Sequence, residues 1–547
     1  MKILLAQLNY TVGDLQGNTE KILSALDEAR KERVDLIVFS ELSICGYPPE
    51  DLLLEEGFVE AVELCLQKII HASQDLMVVV GLPRKNLLGQ GKPLYSSAAV
   101  IQDGSLLGFY DKWLLPTYDV FDEGRHFEPG AALPIWECMG RKFAILICED
   151  IWEHSKGISY THYSRDPVQE LSLTQIDFLI VIAASPYHTK KIDTRIDVCQ
   201  KVVQTVKCPL FLCSQVGAND QLVFDGYSLW MDAQGIVQSM AQGFAEDLKV
   251  CDLDQTNAQV FNLPSEIEEI IDALVLGVKD YFHKSGFSKA CFGLSGGIDS
   301  AVVACIAVQA LGKENVLALM MPSRYSTPSS FTDAKSLLER LDISYEEISI
   351  EKPFETYLTL LEPYFVGYSP DITEENLQAR IRAMLLMAFS NKLGYLLLNT
   401  SNKSEMALGF TTLYGDLCGA LSPISDLLKT QVYEVASFFC KKQKIIPMTI
   451  LQKEPSPELR PQHKTTDSLP KYDLLDPIIY AYIEERKSAQ KIAQEQQLEL
   501  SFVLDLINKI HQAEYKRRQA PPGIRISQKS FREGRKIPIV QKWRSVF

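Results

Sequence analysis

The chain has 547 residues and a formal net charge of -15 at pH 7. This length exceeds what one hydrophobic core supports and predicts two or more domains. The acidic balance argues against a general nucleic-acid binder, which needs a broad basic face. The twelve cysteines form no CxxC pair and no Cys/His ligand pattern, which indicates reduced thiols. No apolar run is long enough to span a membrane, and the apolar start, Met1–Leu8, is too short for a signal peptide. These features predict a cytoplasmic protein that binds neither nucleic acid nor membrane.

Strand-like apolar runs recur through residues 1–262, and helical patterns fall between several of them. Asn18 is predicted to cap a helix that buries Ile22, Leu26 and Ala29 on one face. The alternation predicts an α/β arrangement around a mostly buried sheet. The predicted strands are Ile3–Leu8, Asp35–Phe39, Met77–Val80, Tyr95–Ile101, Phe143–Cys148, Phe178–Ala183, Leu210–Cys213, Ser228–Met231 and Leu248–Leu253.

Three charged or reactive residues stand where strands end: Glu41, Lys112 and Cys148. Taken singly, each has an ordinary explanation as a surface carboxylate, a solvated lysine or a small buried residue. Taken together, they match one chemistry, in which a thiolate attacks a carbonyl, a carboxylate takes its proton and an ammonium stabilises the oxyanion. A free thiol titrates near ~8.5, so a positive neighbour is needed to supply thiolate at neutral pH.

The stretches that begin at these residues resemble the Glu-Lys-Cys triad of the carbon–nitrogen hydrolase (nitrilase) superfamily. They are 41–52 (ELSICGYPPEDL), 112–123 (KWLLPTYDVFDE) and 148–152 (CEDIW). The resemblance is closest to the glutaminase domain of glutamine-dependent NAD synthetases. It implies a nitrilase-like α-β-β-α sandwich for the first part of the chain.

The same resemblance implies a catalytic role for each of these three residues. Glu41 would be the base, Lys112 the oxyanion partner and Cys148 the nucleophile. Three further residues would line a glutamine pocket: Tyr118, Ser185 and Lys191.

A polar stretch, residues 255–264, follows the predicted strands and ends in proline. Such a change of composition marks a domain boundary and predicts domains at 1–262 and 263–547. The second domain is expected to open with a helix that starts at a cap-like segment at Ser265 and runs towards Gly286.

The second domain is organised around the stretch Leu294-Ser295-Gly296-Gly297-Ile298-Asp299-Ser300, which joins a predicted strand to an apolar helix that Gly312 ends. The two glycines let the backbone approach an anion, and the helix N-terminus offers N–H groups and a positive dipole end to a phosphate. Ser295 and Ser300 add hydroxyl donors, and Asp299 could hold Mg²⁺ against phosphate oxygens. A tight turn with a serine cap is the alternative explanation of a bare Gly-Gly pair.

The whole stretch lacks the lysine of a Walker A loop and resembles the SGGxDS loop of the ATP pyrophosphatases. These enzymes split ATP between the α and β phosphates and adenylate a substrate, so the resemblance implies that all seven residues belong to an ATP site. Strands predicted at Val316–Met320 and Leu396–Asn399 alternate with helical segments. This pattern predicts a doubly wound parallel sheet whose ligands bind at the carboxyl ends of the strands.

Further motifs follow the loop in order: 374–382 (EENLQARIR), 399–405 (NTSNKSE), 414–416 (YGD), Lys429 and 455–459 (PSPEL). Each alone is an ordinary solvated helix face or capped turn. Together they resemble the synthetase domain of NAD synthetases over almost all of 263–547. Further ATP contacts implied by the resemblance are Thr400, Lys429 and Ser456, and Asp299 and Glu405 would hold Mg²⁺. The implied deamido-NAD contacts are Asn376, Arg380, Glu405, Asp416 and Lys516.

The resemblance implies that ATP and Mg²⁺ activate deamido-NAD and that ammonia from glutamine completes NAD, in a homo-oligomer assembled through the synthetase domain. GMP synthetases use a Cys-His-Glu glutaminase, and none of the eight histidines stands in a matching setting. Asparagine synthetases use an N-terminal cysteine, but position 2 is Lys2. A standalone amidase whose second half only senses nucleotide is the alternative of another class, and Glu405 and Lys429 argue against it.

The sequence departs from the family pattern at three places. His126 stands where Tyr is common, Pro457 stands where Ala is usual, and residues 462–466 lack an expected acidic residue. The last two affect how the loop that follows Pro455 would close over ATP.

Overall fold

The computed structural model describes residues 1–154, 162–255, 261–461 and 469–543. The chain divides into two compact units, Met1–Pro264 and Ser265–Phe547. Of the predicted boundary stretch, residues 256–260 lie outside the described residues. Across the described ranges, the structure contains no helix that combines the length and apolar character of a membrane span.

The described part of the first unit contains fourteen strands and four α-helices, and several strands follow one another without an α-helix between them. The strands are β1 (Lys2–Gln7), β2 (Leu36–Phe39), β3 (Met77–Lys85), β4 (Leu94–Gln102), β5 (Ser105–Asp111), β6 (Trp136–Cys138), β7 (Arg141–Ile147), β8 (Phe178–Ala183), β9 (Leu210–Ser214), β10 (Val216–Asn219), β11 (Leu222–Asp225), β12 (Leu229–Met231), β13 (Val237–Met240) and β14 (Asp247–Asp252). The helices are α1 (Leu15–Lys31), α2 (Phe58–Ala72), α3 (Pro167–Leu171) and α4 (Lys191–Val206).

The strands form two six-stranded sheets, in the orders β14-β1-β2-β3-β4-β5 and β13-β12-β9-β8-β7-β6, and β10 pairs with β11. Alternate residues of β1 serve different cores. Leu4 and Ala6 pack with α1 and α2, whereas Ile3 and Leu5 pack with the second sheet. The second sheet also packs against α4, so the order of layers is helix, sheet, sheet, helix. The predicted α-β-β-α sandwich is confirmed.

The predicted cap of the first helix is wrong by four residues. Helix α1 begins at Leu15, and the Asp14 side chain caps it by accepting from the Gly17 N–H at 2.9 Å. Asn18 lies inside the helix and is buried, where its amide exchanges hydrogen bonds with the backbone of Thr11. Both Asp and Asn are favourable cap residues, and the loop contacts that distinguish them come from tertiary structure. The predicted buried face, with Ile22, Leu26 and Ala29, is correct.

The second unit is a parallel sheet surrounded by helices. Its strands are β15 (Ala290–Gly293), β16 (Val316–Met320), β17 (Ser344–Glu347) and β18 (Leu396–Leu397). Its helices in the described ranges are α5 (Glu266–Lys284), α6 (Ile298–Leu311), α7 (Pro328–Leu341), α8 (Glu351–Leu361), α9 (Ile372–Leu393), α10 (Lys403–Leu408), α11 (Lys429–Lys441), α12 (Met448–Gln452), α13 (Tyr472–Ile483), α14 (Ala489–Gln496), α15 (Leu500–Gln512) and α16 (Glu514–Arg517).

All strand pairs of this sheet are parallel, in the order β17-β16-β15-β18. The chain moves outward from β15 through β16 to β17 and then returns to place β18 on the other side of β15. The point between β15 and β18 is therefore a topological switch point, where loops diverge and leave a crevice for ligands. The loop after β15 carries the Gly-Gly stretch, and Thr400 follows β18. The predicted doubly wound parallel sheet is confirmed.

Candidate active sites

Lys112 is the centre of the candidate site in the first unit. It follows β5 and is fully buried, with its Nζ 2.7 Å from Glu41 Oε1 and 2.8 Å from the Glu123 carboxylate. Burial by itself would lower the pKa of Lys112, but the Glu123 and Glu41 carboxylates outweigh it and hold the pKa well above its usual value. The Glu41 Oε2 accepts from the Ala184 N–H at 3.1 Å, which fixes the carboxylate beside the end of β8. The site thus holds a charged ammonium between two carboxylates.

Glu123 also belongs to this cluster, although its sequence context did not mark it as a site residue. Its carboxylate accepts from Lys112 and, at 2.8 Å, from the Tyr47 hydroxyl. Burial, reinforced by the charge of Glu41, raises the pKa of Glu123 to about 7. It is the last residue of the stretch that begins at Lys112, and no local signal distinguishes it from the acidic residues around it.

Cys148 stands at the sharp turn between β7 and a short 3-10 helix, Cys148–Ile151. Its φ of +43° lies in the left-handed region, which a residue with a side chain adopts at a cost. Asp150 holds the turn, since its carboxylate accepts from the backbone of Ile147 at 2.9 Å and of Leu114 at 2.9 Å. Burial and the nearby Glu41 raise the pKa of the Cys148 thiol well above its usual range, against the opposing charge of Lys112.

A further buried carboxylate, Glu149, lies next to the nucleophile candidate. It accepts from the Tyr118 hydroxyl at 2.9 Å and from the Tyr163 hydroxyl at 3.1 Å. Burial raises the pKa of Glu149 to about 7. The Lys191 ammonium lies 4.0 Å from the centre of the Trp152 ring, four residues after Cys148.

The structure also places Ser185, which was predicted to line the glutamine pocket, and His126, which departs from the family pattern. Ser185 is buried just after β8, in the same segment as Ala184, which contacts Glu41. His126 is buried and lies 3.2 Å from Asp51. Burial lowers the pKa of His126, which favours a neutral imidazole at neutral pH.

In the second unit, the loop between β15 and α6 is built around two glycines. Gly296 has φ +78°, and a Cβ atom there would lie 2.1 Å from the Ser330 carbonyl oxygen. Ser295 and Ser300 bind each other, with 3.2 Å between their hydroxyl oxygens, and the Gly297 N–H donates to Ser295 at 3.2 Å. Because Gly296 has no side chain, the loop packs closely against α7 and leads directly into the N-terminus of α6.

Lys429 joins the two carboxylates that were predicted to hold Mg²⁺. Its Nζ donates to Asp299 and lies 3.8 Å from Glu405 Oε1. Burial, together with the charge of Asp299, raises the pKa of Glu405 to about 8. Burial lowers the pKa of Lys429, but Asp299 and Glu405 outweigh it and leave that pKa raised. Two carboxylates share one lysine here, and the raised pKa of Glu405 reflects burial and the repulsion of Asp299, which a divalent cation would relieve.

Two cavities adjoin this cluster. The larger, of about 310 Å³, is lined by the ends of β15, β16 and β18 and includes Leu294, Ser295, Thr400 and Asp416. The smaller, of about 150 Å³, is more polar. It is lined by Ser295, Gly297, Ile298, Asp299, Glu405, Lys429 and Ser456. Ser295, Ser330, Pro457 and Glu458 line both cavities, so the residues predicted to bind ATP largely meet in one place.

Four residues predicted to bind deamido-NAD instead surround one loop, residues 409–413. Lys516 Nζ donates to the carbonyl oxygens of Gly409 at 2.7 Å and of Thr411 at 2.6 Å. The other three contacts reach Thr412 or Leu413. Asn376 accepts from the Thr412 hydroxyl at 2.8 Å, Asp416 accepts from the Thr412 N–H at 2.6 Å, and Arg380 donates to the Leu413 carbonyl at 3.1 Å. Of these four, only Asp416 lines the larger cavity.

Arg382 is a cavity residue to which neither the sequence pattern nor the family resemblance assigned a role. It lines the larger cavity, and its Nε donates to the Met321 carbonyl at 3.1 Å. Burial lowers the pKa of its guanidinium to about 10. It lies two residues after Arg380 on α9, and a helix alone does not reveal which arginine faces a cavity. Residues 462–466, the predicted departure after Pro457, lie outside the described residues.

Two family models match the chain, one in each unit. The carbon–nitrogen hydrolase model matches residues 2–261, and the NAD synthase model matches residues 270–520. The class of protein is therefore a carbon–nitrogen hydrolase unit joined to an NAD synthase unit.

The relatives extend over the whole chain. The glutamine-dependent NAD(+) synthetase of Synechocystis sp. is 42% identical and covers 98% of both chains. That of Aquifex aeolicus is 39% identical over 99% of this chain and 100% of its own. The solved structure of the Acinetobacter baumannii enzyme with ADP is 36% identical over 100% of this chain and 99% of that chain, with a TM-score of 0.78. The enzyme of Cytophaga hutchinsonii, 21% identical over 99% and 98%, shares the fold with a TM-score of 0.84. The chain belongs to the family of glutamine-dependent NAD(+) synthetases.

Proposed function

We propose that the first unit releases ammonia from glutamine at Cys148 and that the second unit uses this ammonia to amidate adenylated deamido-NAD. The overall activity is that of the family. The chain is a carbon–nitrogen ligase that forms NAD in the last step of its biosynthesis, with glutamine as amide donor. The proposal assigns each half-reaction to one unit and to named residues.

The arrangement around Lys112 supports the glutaminase step. Because burial and Glu41 keep the Cys148 thiol protonated, a base must take its proton as the sulfur attacks the glutamine amide. Glu41, held by Lys112 and the Ala184 N–H, is the proposed base. The Lys112 ammonium stabilises the oxyanion of the tetrahedral intermediate. The carbon–nitrogen bond then breaks, ammonia leaves with a proton returned by Glu41, and water hydrolyses the thioester to glutamate.

Glu149, Tyr118 and Lys191 support recognition of glutamine. A buried carboxylate that accepts from two tyrosines beside the nucleophile suits the α-ammonium of an amino acid. Lys191 over Trp152 supplies the positive charge that an α-carboxylate needs. Ser185, buried after β8, completes the proposed pocket.

In the second unit, the larger cavity has the size and the partly apolar lining that an adenosine group needs. The N-terminus of α6 and Lys429 stabilise the negative charge of the phosphates. The nicotinate carboxylate attacks the α-phosphorus, pyrophosphate leaves, and ammonia then displaces AMP from the acyl carbon. The residues around 409–413 are the proposed contacts of deamido-NAD.

Asp299 and Glu405 are the proposed ligands of Mg²⁺. Among the residues that the structure describes, no three His, Cys, Asp or Glu side chains gather as a complete metal site. Two carboxylates that share one lysine nevertheless fit Mg²⁺, which is commonly bound by one or two carboxylates and the phosphates of a nucleotide. When bound, the ion would neutralise charge on the phosphates as pyrophosphate leaves.

The observation that carries the proposal is the contact of Lys429 with Asp299 and Glu405 at the N-terminus of α6. A unit that only senses nucleotide needs no such set of charges. The test is NAD formation from deamido-NAD, ATP and glutamine, with pyrophosphate measured in parallel. The proposal expects equal amounts of NAD and pyrophosphate, both strictly dependent on deamido-NAD. Glutamine hydrolysis without pyrophosphate release would instead support an amidase with a nucleotide sensor.

Two broader expectations remain proposals. A homo-oligomer through the second unit is supported by the exposed apolar side chains of Tyr364, Val366 and Tyr368, which are 77–81% exposed. A reducing, cytoplasmic location is supported by the twelve cysteines, which all lie within the described residues and are all free thiols. Sedimentation of the purified chain and cell fractionation test these two points.

A further inference from the structure

Four consecutive residues, Asn402 to Glu405, lie at the start of α10 and contact several parts of the second unit. Asn402 Nδ2 donates to Asp299 Oδ1 at 2.9 Å, and its own side chain caps the helix by accepting from the Glu405 N–H at 3.0 Å. Ser404 donates to Asp476 at 2.6 Å and accepts from the Lys429 N–H at 2.9 Å. These contacts join the whole Asp299–Lys429–Glu405 cluster to one short helix. Lys403 is the remaining member, and the proposed chemistry does not use it.

Lys403 points into a buried ionic network. Its side chain is 2% exposed, and its Nζ donates to Glu484 and lies 2.9 Å from Asp426 Oδ1. The same Nζ donates to the Ser527 hydroxyl at 2.8 Å and to the Lys529 carbonyl at 2.9 Å. A buried ammonium with two carboxylates and two neutral acceptors is fully satisfied, and its loss would leave two buried carboxylates without the positive charge of this lysine.

Residues 525–530, here called the C-terminal strap, are held by the same carboxylates. Asp426 Oδ2 accepts from the Ile526 and Ser527 N–H groups at 2.8 Å each. Glu484 Oε2 accepts from the Lys529 N–H at 2.7 Å. The NAD synthase family model ends at residue 520, so the strap lies beyond the part of the chain that it matches.

The position of α10 depends on such side-chain contacts. The helix has six residues, fewer than two turns, and a helix this short has little stability of its own. Lys403 and Glu405 stand two residues apart and point to different sides of it. The Lys403 network therefore fixes one side of α10, and the other side presents Glu405 to the cavity.

We propose that Lys403, held by the C-terminal strap, is a positioning residue that orients Glu405 and Asn402 for MgATP in the second unit. The inference rests on the proposed function of that unit. Residues that orient the ligands of a metal commonly change affinity or activity by about 10- to 100-fold when they are lost. A purely structural role would instead lower stability and leave the affinity for MgATP unchanged.

The test compares Lys403→Met, Ser527→Ala and their double variant in the full chain. The measurements are calorimetric binding of MgATP, the Mg²⁺ concentration that half-saturates ammonium-dependent NAD synthesis, and thermal unfolding. Lys403→Met should weaken MgATP binding about tenfold or more and raise the half-saturating Mg²⁺ concentration. Ser527→Ala removes the hydroxyl that accepts from Lys403 and donates to Asp426, without changing charge, and should act in the same direction by about threefold. The double variant should bind MgATP about as weakly as Lys403→Met, because the Ser527 hydroxyl reaches α10 through the Lys403 ammonium.

Lys487→Met is the matched control, since Lys487 forms ion pairs with Glu485 and Glu495 at the surface of the same unit. It should bind MgATP as the unaltered chain does. A folded Lys403→Met with unchanged MgATP affinity overturns the inference. If Lys403→Met does not fold, an unchanged Mg²⁺ dependence of folded Ser527→Ala overturns it equally. Asp299→Asn in the same assays distinguishes failure of this inference from failure of the proposed function. Full activity of Asp299→Asn would reject the proposed MgATP site itself.

Discussion

The loop at Gly296 permits a quantitative test of how closely the ATP site is packed. Alanine at this position would place a Cβ atom 2.1 Å from the backbone oxygen of Ser330, whereas real Cβ atoms essentially never approach closer than 3.0 Å. The loop or α7 must therefore move by about 0.9 Å, since the obstacle is backbone and cannot rotate away. The φ of +78° adds strain of about 1–2 kcal/mol for any residue with a side chain.

Gly286 supplies a matched control. Its φ is +77°, and a Cβ atom there would meet nothing within 4 Å. Gly286→Ala should lower stability by about 1–2 kcal/mol through strain alone and leave synthesis unchanged. Gly296→Ala carries the same strain plus the displacement, and a misplacement of about 1 Å costs about 10²-fold in rate.

The assay is NAD synthesis with ammonium as nitrogen donor, together with thermal unfolding of both variants. The account expects a loss of about 10²-fold in kcat/KM for Gly296→Ala and wild-type kinetics for Gly286→Ala. Normal MgATP binding and synthesis in a folded Gly296→Ala would refute the view that this loop contacts the phosphates.

Three further predictions follow from the charges of the two sites. Glu149→Gln should stabilise the first unit at pH 8 but not at pH 4, as thermal unfolding would reveal. The pKa of Glu149 in the folded chain is about 7, above the ordinary 4.5. The wild-type chain therefore loses about 3 kcal/mol of folding stability as pH rises from the lower value through the higher one. Equal unfolding temperatures of variant and wild type at pH 8 would contradict this. Glu41→Gln should bind glutamine but hydrolyse it about 10²–10⁴-fold more slowly, and a normal rate of glutamate release would exclude Glu41 as the base. Asp299→Asn and Glu405→Gln should each lose most ammonium-dependent synthesis, because each removes a carboxylate that would hold the Mg²⁺ whose charge offsets the phosphates. Activity near wild type in both would reject the proposed metal ligands.

Local sequence patterns predict the bounds of a strand or helix correctly where nearby residues determine them. Strand β16 has the predicted bounds, Val316–Met320, because its apolar run is fully buried. Helix α5 begins after the predicted Ser265, whose side chain and that of Glu268 cap it reciprocally. Strand β18 is only two residues long, shorter than its apolar run predicts, because only Leu396 and Leu397 pair with β15.

The buried charges of the two sites could not be predicted from local patterns. Glu123 and Glu149 look like solvated carboxylates in sequence, and their burial depends on partners such as Lys112 and Tyr118. Lys112 itself meets Glu41 across 71 residues. Spacing along the chain carries no information about such pairs, so the Glu41-Lys112-Cys148 triad was predicted from its resemblance to known motifs. That resemblance did not predict Glu123, the other carboxylate that contacts Lys112.

The central claim is that the two chemistries reside in separable units and that Cys148 serves only one of them. The most direct measurement is NAD formation by purified Cys148→Ala with glutamine and, separately, with high ammonium. The account predicts that synthesis from glutamine is abolished and that synthesis from ammonium remains close to that of the unaltered chain. Continued use of glutamine would contradict the assignment of Cys148. Loss of both activities in a folded variant would contradict the separation of the two units.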